Sequence, residues 1–91
     1  MVEARSYRVR GRVQGVGYRY FAQQIALGLS VRGWVRNLSN GDVEVHAEAE
    51  HDVLKRFRSE LERGPSFARV SEVIEDAAGV SGQFPSFEIR G

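Results

Sequence analysis

The sequence predicts an α+β sandwich of βαββαβ order with one further strand at its carboxyl end. Three observations predict it. Apolar residues recur at every second position in runs around residues 7–13 and 31–49, further β-rich runs lie at 69–76 and 84–89, and two intervening stretches carry apolar residues at helical spacing instead. The chain has 91 residues, enough for one two-layer core and too few for two, so residues 1–91 read as a single domain. A content of 42% hydrophobic and 27% charged residues suits such a globule and argues against disorder.

Tyr7, Val9, Gly11 and Val13 alternate with Arg8, Arg10 and Arg12, the period of a strand with one buried face. Gly15 and Gly17 end it. From Arg19 the apolar positions become Phe21, Ala22, Ile25 and Leu29, the inner stripe of a helix, with Gly28 placed as its left-handed cap. Residues 31–38 (VRGWVRNL) and 42–49 (DVEVHAEA) are β-rich runs joined by Ser39, Asn40 and Gly41, and Asn-Gly between such runs signals a hairpin. In the second run Val43, Val45, Ala47 and Ala49 are expected to face inward. A second helix follows, with Asp52 as its N-cap, Val53, Leu54, Phe57 and Leu61 on its buried stripe, and Gly64-Pro65 as its stop. Residues 69–76 (RVSEVIED) predict a strand in which Val70, Val73 and Ile74 break strict alternation, the mark of a bulge or an edge. Phe84, Phe87 and Ile89 predict a last strand whose start Pro85 restricts.

Two right-handed crossovers around a central hairpin make this a ferredoxin-like sandwich, an antiparallel sheet with both helices on one face. The other face is then expected to carry Arg8, Arg10 and Arg12 beside Glu44, His46 and Glu48 as a solvated lattice of opposite charges.

The chain has no Cys, which excludes a disulfide framework and a thiolate metal site. Its first residues, MVEARSYRVR, lack the apolar stretch of a signal peptide, and no 18 apolar residues run together, so a cytoplasmic protein without membrane contact is expected. Net charge is only +1 but unevenly spread: residues 1–40 hold seven arginines against Glu3 alone, a net of +6, while residues 41–91 carry −5. That asymmetry suits a phosphate ligand or a nucleic acid, and equally a solvated face of Arg paired with Glu.

The segment richest in chemistry is GRVQGVGYR, residues 11–19, which joins a strand to a helix through a turn with two glycines. Glycines permit the positive φ that points neighbouring amides into one concavity, and the unpaired amides of the helix's first turn add to it. The candidate donors are the backbone N–H groups of Gly15, Val16, Gly17, Tyr18 and Arg19. The Arg19 guanidinium adds a planar fork that matches phosphate oxygens, and a cation at a helix start opposes the dipole and so calls for an anionic partner. Other phosphate motifs are absent. No window fits the Walker pattern, and Tyr20 stands where a GxGxxG needs its third glycine. A glycine turn before a helix also serves as a plain connection, and both readings stay open on the residues alone.

GRVQGVGYR, followed by LGL at 27–29, GWVRN at 33–37 and NGDVEV at 40–45, resembles the acylphosphatase family over essentially the whole chain. The resemblance implies the ferredoxin-like fold and the hydrolysis of acyl phosphates to carboxylate and inorganic phosphate. It implies that Arg19 binds the phosphoryl group and that Asn37 positions the attacking water, with no metal or cofactor and no general base among the carboxylates or histidines. Tyr18 stands where the family has Phe or Tyr, and Asn40 where Asp is common. A small-molecule acyl phosphate, inorganic phosphate as product and a monomeric enzyme are the corresponding expectations.

Rival readings have their own residues. His46, Glu48 and Glu50 share a strand face, a pattern that a metal site and simple alternation both produce. Asn37 without the family reads as a strand-end residue satisfying a turn. Trp34 between Arg32 and Arg36 can be a stacking platform for nucleic acid or a half-buried edge residue. An RNA-binding module of this fold needs aromatics on the outer faces of its central strands, where this chain has Arg8, Arg10, Glu44 and Glu48, so no nucleic acid is expected. A regulatory domain without turnover is the remaining alternative.

Overall fold

The computed structural model describes residues 1–91. In chain order the elements are β1 (Val2–Arg12), α1 (Tyr18–Leu29), β2 (Arg32–Asn37), β3 (Val43–Glu50), α2 (His51–Arg63), β4 (Arg69–Ala78) and β5 (Phe87–Arg90). They form one sheet of order β4-β1-β3-β2-β5. The core lies where both helices cover one face: Tyr7, Val9, Val35, Val45 and Ala47 from the strands meet Tyr18, Ala22 and Ala26 of α1 and Leu54, Phe57 and Leu61 of α2. Phe57 sits edge-on to Tyr7 and to Phe87, with ring centroids 6.1 and 5.9 Å away, the arrangement aromatic quadrupoles favour.

The sheet is mixed, a correction to the all-antiparallel expectation. β1 pairs antiparallel with β3 and β4, as does β2 with β3, but β5 runs parallel to β2. The cause is residues 79–86, which leave the end of β4 opposite Ala4 and cross the outer face to start β5 opposite Gly33, at the same end of the sheet. This strap displaces the predicted charge lattice from one end of that face, while toward the other end Arg10 lies 3.7 Å from Glu72 and 3.8 Å from Asp42. Arg36 and Glu44 do pair across strands at 2.7 Å, but Glu48 is buried beneath the strap, and Phe84 lies outside β5 with its ring 5.5 Å from that of His46. Gly33 carries the closest approach in the sheet: with φ 143, a Cβ there would stand 1.8 Å from the His46 carbonyl oxygen.

Helix ends depart from expectation in two places. The left-handed cap of α1 is Ser30 (φ 59), and Gly28 lies inside the helix. The last turn continues because Leu29 packs against the core, and Val31 N–H then closes it on Ala26 O at 2.8 Å. α2 starts at His51 directly from β3, so Glu50 is its N-cap and Asp52 falls in the first turn, where its charge complements the dipole. The irregularity foreseen in residues 69–76 is both a bulge and an edge: register shifts where Arg10 and Gly11 face Glu72 and Val70, leaving Ser71 unpaired on an outermost strand.

Candidate active site

The ends of β1 and β2 lie at the end of the sheet opposite the strap, and between them runs the turn to α1. Gly15 (φ 73) and Gly17 (φ 79) both adopt the left-handed conformation there. A Cβ at either would meet nothing within 4 Å, so backbone conformation and not space selects glycine. Gly17 is also the N-cap of α1, and having no side chain it leaves the helix's first donors unpaired. The first of these amides with a backbone acceptor is Phe21, bonded to Gly17 O at 3.0 Å, and those from Gly15 to Tyr20 make no such bond.

Gly15, Gly17, Tyr18, Arg19 and Asn37 line one cleft of about 230 Å³, together with Val13, Tyr20 and Ile89. Of the residues the sequence singled out, only Val16 is not part of its wall; its side chain packs against the core. Arg19 is half-buried with no carboxylate within ion-pair distance; Arg5, Arg10, Arg36, Arg58, Arg63 and Arg90 have acidic partners, and the other arginines without one (Arg8, Arg12, Arg32, Arg56 and Arg69) are exposed to solvent. The first turn of α1 has no acidic residue either. The Tyr18 ring faces away from the cleft into the core, where its hydroxyl donates to Leu61 O at 2.7 Å and pins α1 to α2. Burial pushes that hydroxyl's pKa well up, so it stays a donor.

Asn37 is the last residue of β2, on the same sheet face as Val35 and opposite Val43. Its Oδ1 is buried without a hydrogen-bond partner, an exception in a protein interior. The reading of Asn37 as a strand-end residue satisfying a turn therefore does not describe it. The turn is closed by others: Asn40 Oδ1 accepts from Asp42 N–H at 3.0 Å, Asn40 Nδ2 donates to Asp42 Oδ2 at 3.1 Å, and Leu38 N–H donates to Asp42 O at 2.8 Å. Gln14, inside the glycine-rich motif but given no role from sequence, donates through Nε2 to both Leu38 O and Asp42 O, each at 2.8 Å. Its acceptors are non-local, which is why no local pattern announces it.

The rival sites resolve differently. His46 Nε2 donates to Glu48 Oε2 at 2.6 Å, Glu50 pairs with the amino terminus at 2.6 Å, and no group of three or more His, Cys, Asp or Glu side chains is placed to hold a metal. Trp34 is half-buried, stacked on His46 at 6.0 Å with Arg36 and Arg90 over its ring at 5.1 and 5.2 Å, so its faces are already occupied. No helix is long and apolar enough to cross a membrane.

Comparison with known proteins bears on the family and the fold. A family model described as Acylphosphatase matches residues 5–89. An acylphosphatase of Solibacter usitatus is 46% identical over 88 residues, which span 97% of this chain and 91% of that one. The crystal structure of acylphosphatase from Bacillus subtilis superposes with a TM-score of 0.93 at 33% identity, covering 100% of both chains. An acylphosphatase structure from Coxiella burnetii gives the same TM-score at 36% identity, over 98% of this chain and 93% of that one.

Proposed function

The chain belongs to the acylphosphatase family, hydrolases acting on acid anhydrides, and from that premise we propose that Arg19 and Asn37 are its catalytic pair. The reaction is hydrolysis of the carboxyl–phosphate bond of an acyl phosphate to carboxylate and inorganic phosphate. The amides of the Gly15–Arg19 segment and the Arg19 fork hold the phosphoryl oxygens, and a water oriented by Asn37 attacks phosphorus. The carboxylate leaves with the bond electrons and the water's protons go to phosphate and solvent. An acyl phosphate is an activated anhydride with a good leaving group, so holding, charge neutralisation and alignment are the enzyme's main tasks. Preorganised donors in a cleft perform them without reorganising at the moment of reaction.

One observation carries the reading. An unpaired run of amides, an arginine without a carboxylate and an asparagine with an orphaned oxygen line the same small cleft. Each lacks what a phosphoryl group and its attacking water would supply. A half-turn of the Asn37 carboxamide exchanges its oxygen and nitrogen, bringing either an acceptor or a donor to that water. A carboxamide does not titrate in the working range, so it orients the nucleophile and takes no proton.

The test is hydrolysis of benzoyl phosphate and acetyl phosphate by purified protein in EDTA. Turnover persists there in the proposed mechanism because Arg19 and the amides supply the positive charge, and phosphate monoesters, whose alkoxide leaves poorly, are cut very slowly. Inorganic phosphate inhibits competitively, since it takes the phosphoryl position. Activity abolished by EDTA and restored by Mg²⁺ or Zn²⁺ would overturn the metal-free mechanism, and purely noncompetitive phosphate inhibition would move the phosphate elsewhere.

A further inference from the structure

Asn37 sits at the turn end of the β2–β3 hairpin, where the chain leaves β2 for the loop that returns as β3. The two carbonyls that receive the Gln14 amide belong to Leu38, which directly follows Asn37, and to Asp42, which directly precedes its cross-strand partner Val43. One side chain thus ties both strands of the hairpin at the Asn37–Val43 pair. The same side chain belongs to the residue that directly precedes Gly15, the start of the phosphate loop. Both of its N–H bonds are used, each at 2.8 Å, so the carboxamide bridges the parts of the cleft that hold the phosphoryl group and the water.

We infer that Gln14 is a positioning residue: it fixes the distance of Asn37 from the phosphate loop and acts on turnover only through Asn37. The inference rests on the reading of Asn37 as the water-orienting group. The chemistry restricts what can replace it. Both acceptors are carbonyl oxygens, so the position needs two donors on a chain of this length. Gln14→Met keeps the length and removes the donors. Gln14→Lys keeps donors on a longer stem, and Gln14→Glu sets a carboxylate against two carbonyls.

The experiment measures kcat and KM for benzoyl phosphate, the inhibition constant of inorganic phosphate and the melting temperature of Gln14→Met and Gln14→Lys, each in the wild-type and Asn37→Ala backgrounds. Gln14→Met lowers kcat by about tenfold in the wild-type background, less than the roughly 10²-fold a full ångström of misplacement costs. Its phosphate inhibition constant changes by less than about twofold, because the loop amides and Arg19 remain. In the Asn37→Ala background the same change lowers kcat no further, the non-additivity of residues that act as one unit. Gln14→Lys recovers part of the lost kcat.

An equal fall of kcat in both backgrounds would overturn the inference, and so would a lowered melting temperature with kcat unchanged. If Gln14→Met does not fold, Gln14→Lys carries the same comparison between backgrounds. Failure of the underlying reading looks different: Asn37→Ala alone then keeps its kcat, whatever Gln14 does.

Discussion

The two ends of the sheet treat charge and hydrogen bonding in opposite ways. Beneath the strap one carboxylate is saturated: Glu48 accepts from Ser81 N–H and Gly82 N–H at 3.0 Å each and from His46 at 2.6 Å. Burial alone raises its pKa, but the bonds from His46 and the two amides outweigh that and hold it down to about 2. At the cleft the arrangement is inverted, with amides that have no acceptor, an arginine that has no carboxylate and an amide oxygen that has no donor. Both regions combine backbone N–H groups with an ionised or polar side chain. What separates scaffold from site is that β3 supplies the anion for the strap's amides and the cleft leaves that place for a ligand.

Substitutions at the cleft should have the largest effects. Arg19→Lys keeps the charge and loses the planar fork, so kcat/KM falls on the order of 10²–10³-fold with little change in melting temperature. Near-normal kcat/KM in that variant would remove Arg19 from the mechanism. Asn37→Ala comes next: kcat falls on the order of 10²-fold while phosphate still binds, because the loop and Arg19 are untouched. Its melting temperature holds or rises slightly, since the change deletes a buried oxygen that has no partner. A folded Asn37→Ala protein with wild-type kcat would return Asn37 to a purely structural role.

At the strap the expected effect is on stability and not on rate. Because the Glu48 pKa is depressed in the folded state, its contribution is full above the ordinary value near 4.5 and is lost as pH falls toward 2. The difference in unfolding free energy between wild type and Glu48→Gln should be on the order of 2–3 kcal/mol at pH 7 and shrink through that window. The kcat of Glu48→Gln at pH 7 should match wild type, as the carboxylate lies at the far end of the sheet; a loss of kcat with stability intact would show that the two ends are coupled. The smallest effect belongs to Gly28, an exposed glycine inside α1 whose added Cβ meets nothing within 4 Å. Gly28→Ala should stabilise by about 0.5–1 kcal/mol through helix propensity, read as a rise in melting temperature. A fall would mean that the residue serves as a cap after all.

The same contrast decides what the sequence disclosed. The cleft is built largely from one contiguous segment, 15–19, plus a strand end that a hairpin signal locates, so local pattern and family resemblance reach Arg19, Asn37 and most of the wall. Strand alternation reached the buried residues Val43, Val45, Ala47 and Ala49, and broken alternation reached the edge and bulge of β4. The strap escaped because Glu48 reads as an outward charge by period, and only a segment more than thirty positions away turns it into a buried anchor. The parallel direction of β5 escaped for a related reason, since periodicity marks a strand and not its direction. Gln14 was visible as a letter in the motif, but its two acceptors lie 24 and 28 positions along the chain.

The bulge opposite Arg10 and Gly11 also bears on how the molecule avoids its own kind. β4 is an outermost strand of ten residues, long enough to template another chain by edge-to-edge addition. The extra residue Ser71 breaks the regular row of donors and acceptors near one end and sharpens the local twist, so a flat incoming strand cannot stay in register along the whole edge. Arg69, Glu72, Glu75 and Asp76 put charged side chains along the same strand, a further obstacle to edge-to-edge addition. On the opposite edge β5 is only four residues long. Both open edges of the sheet are thereby blunted, one by a bulge and the other by its shortness.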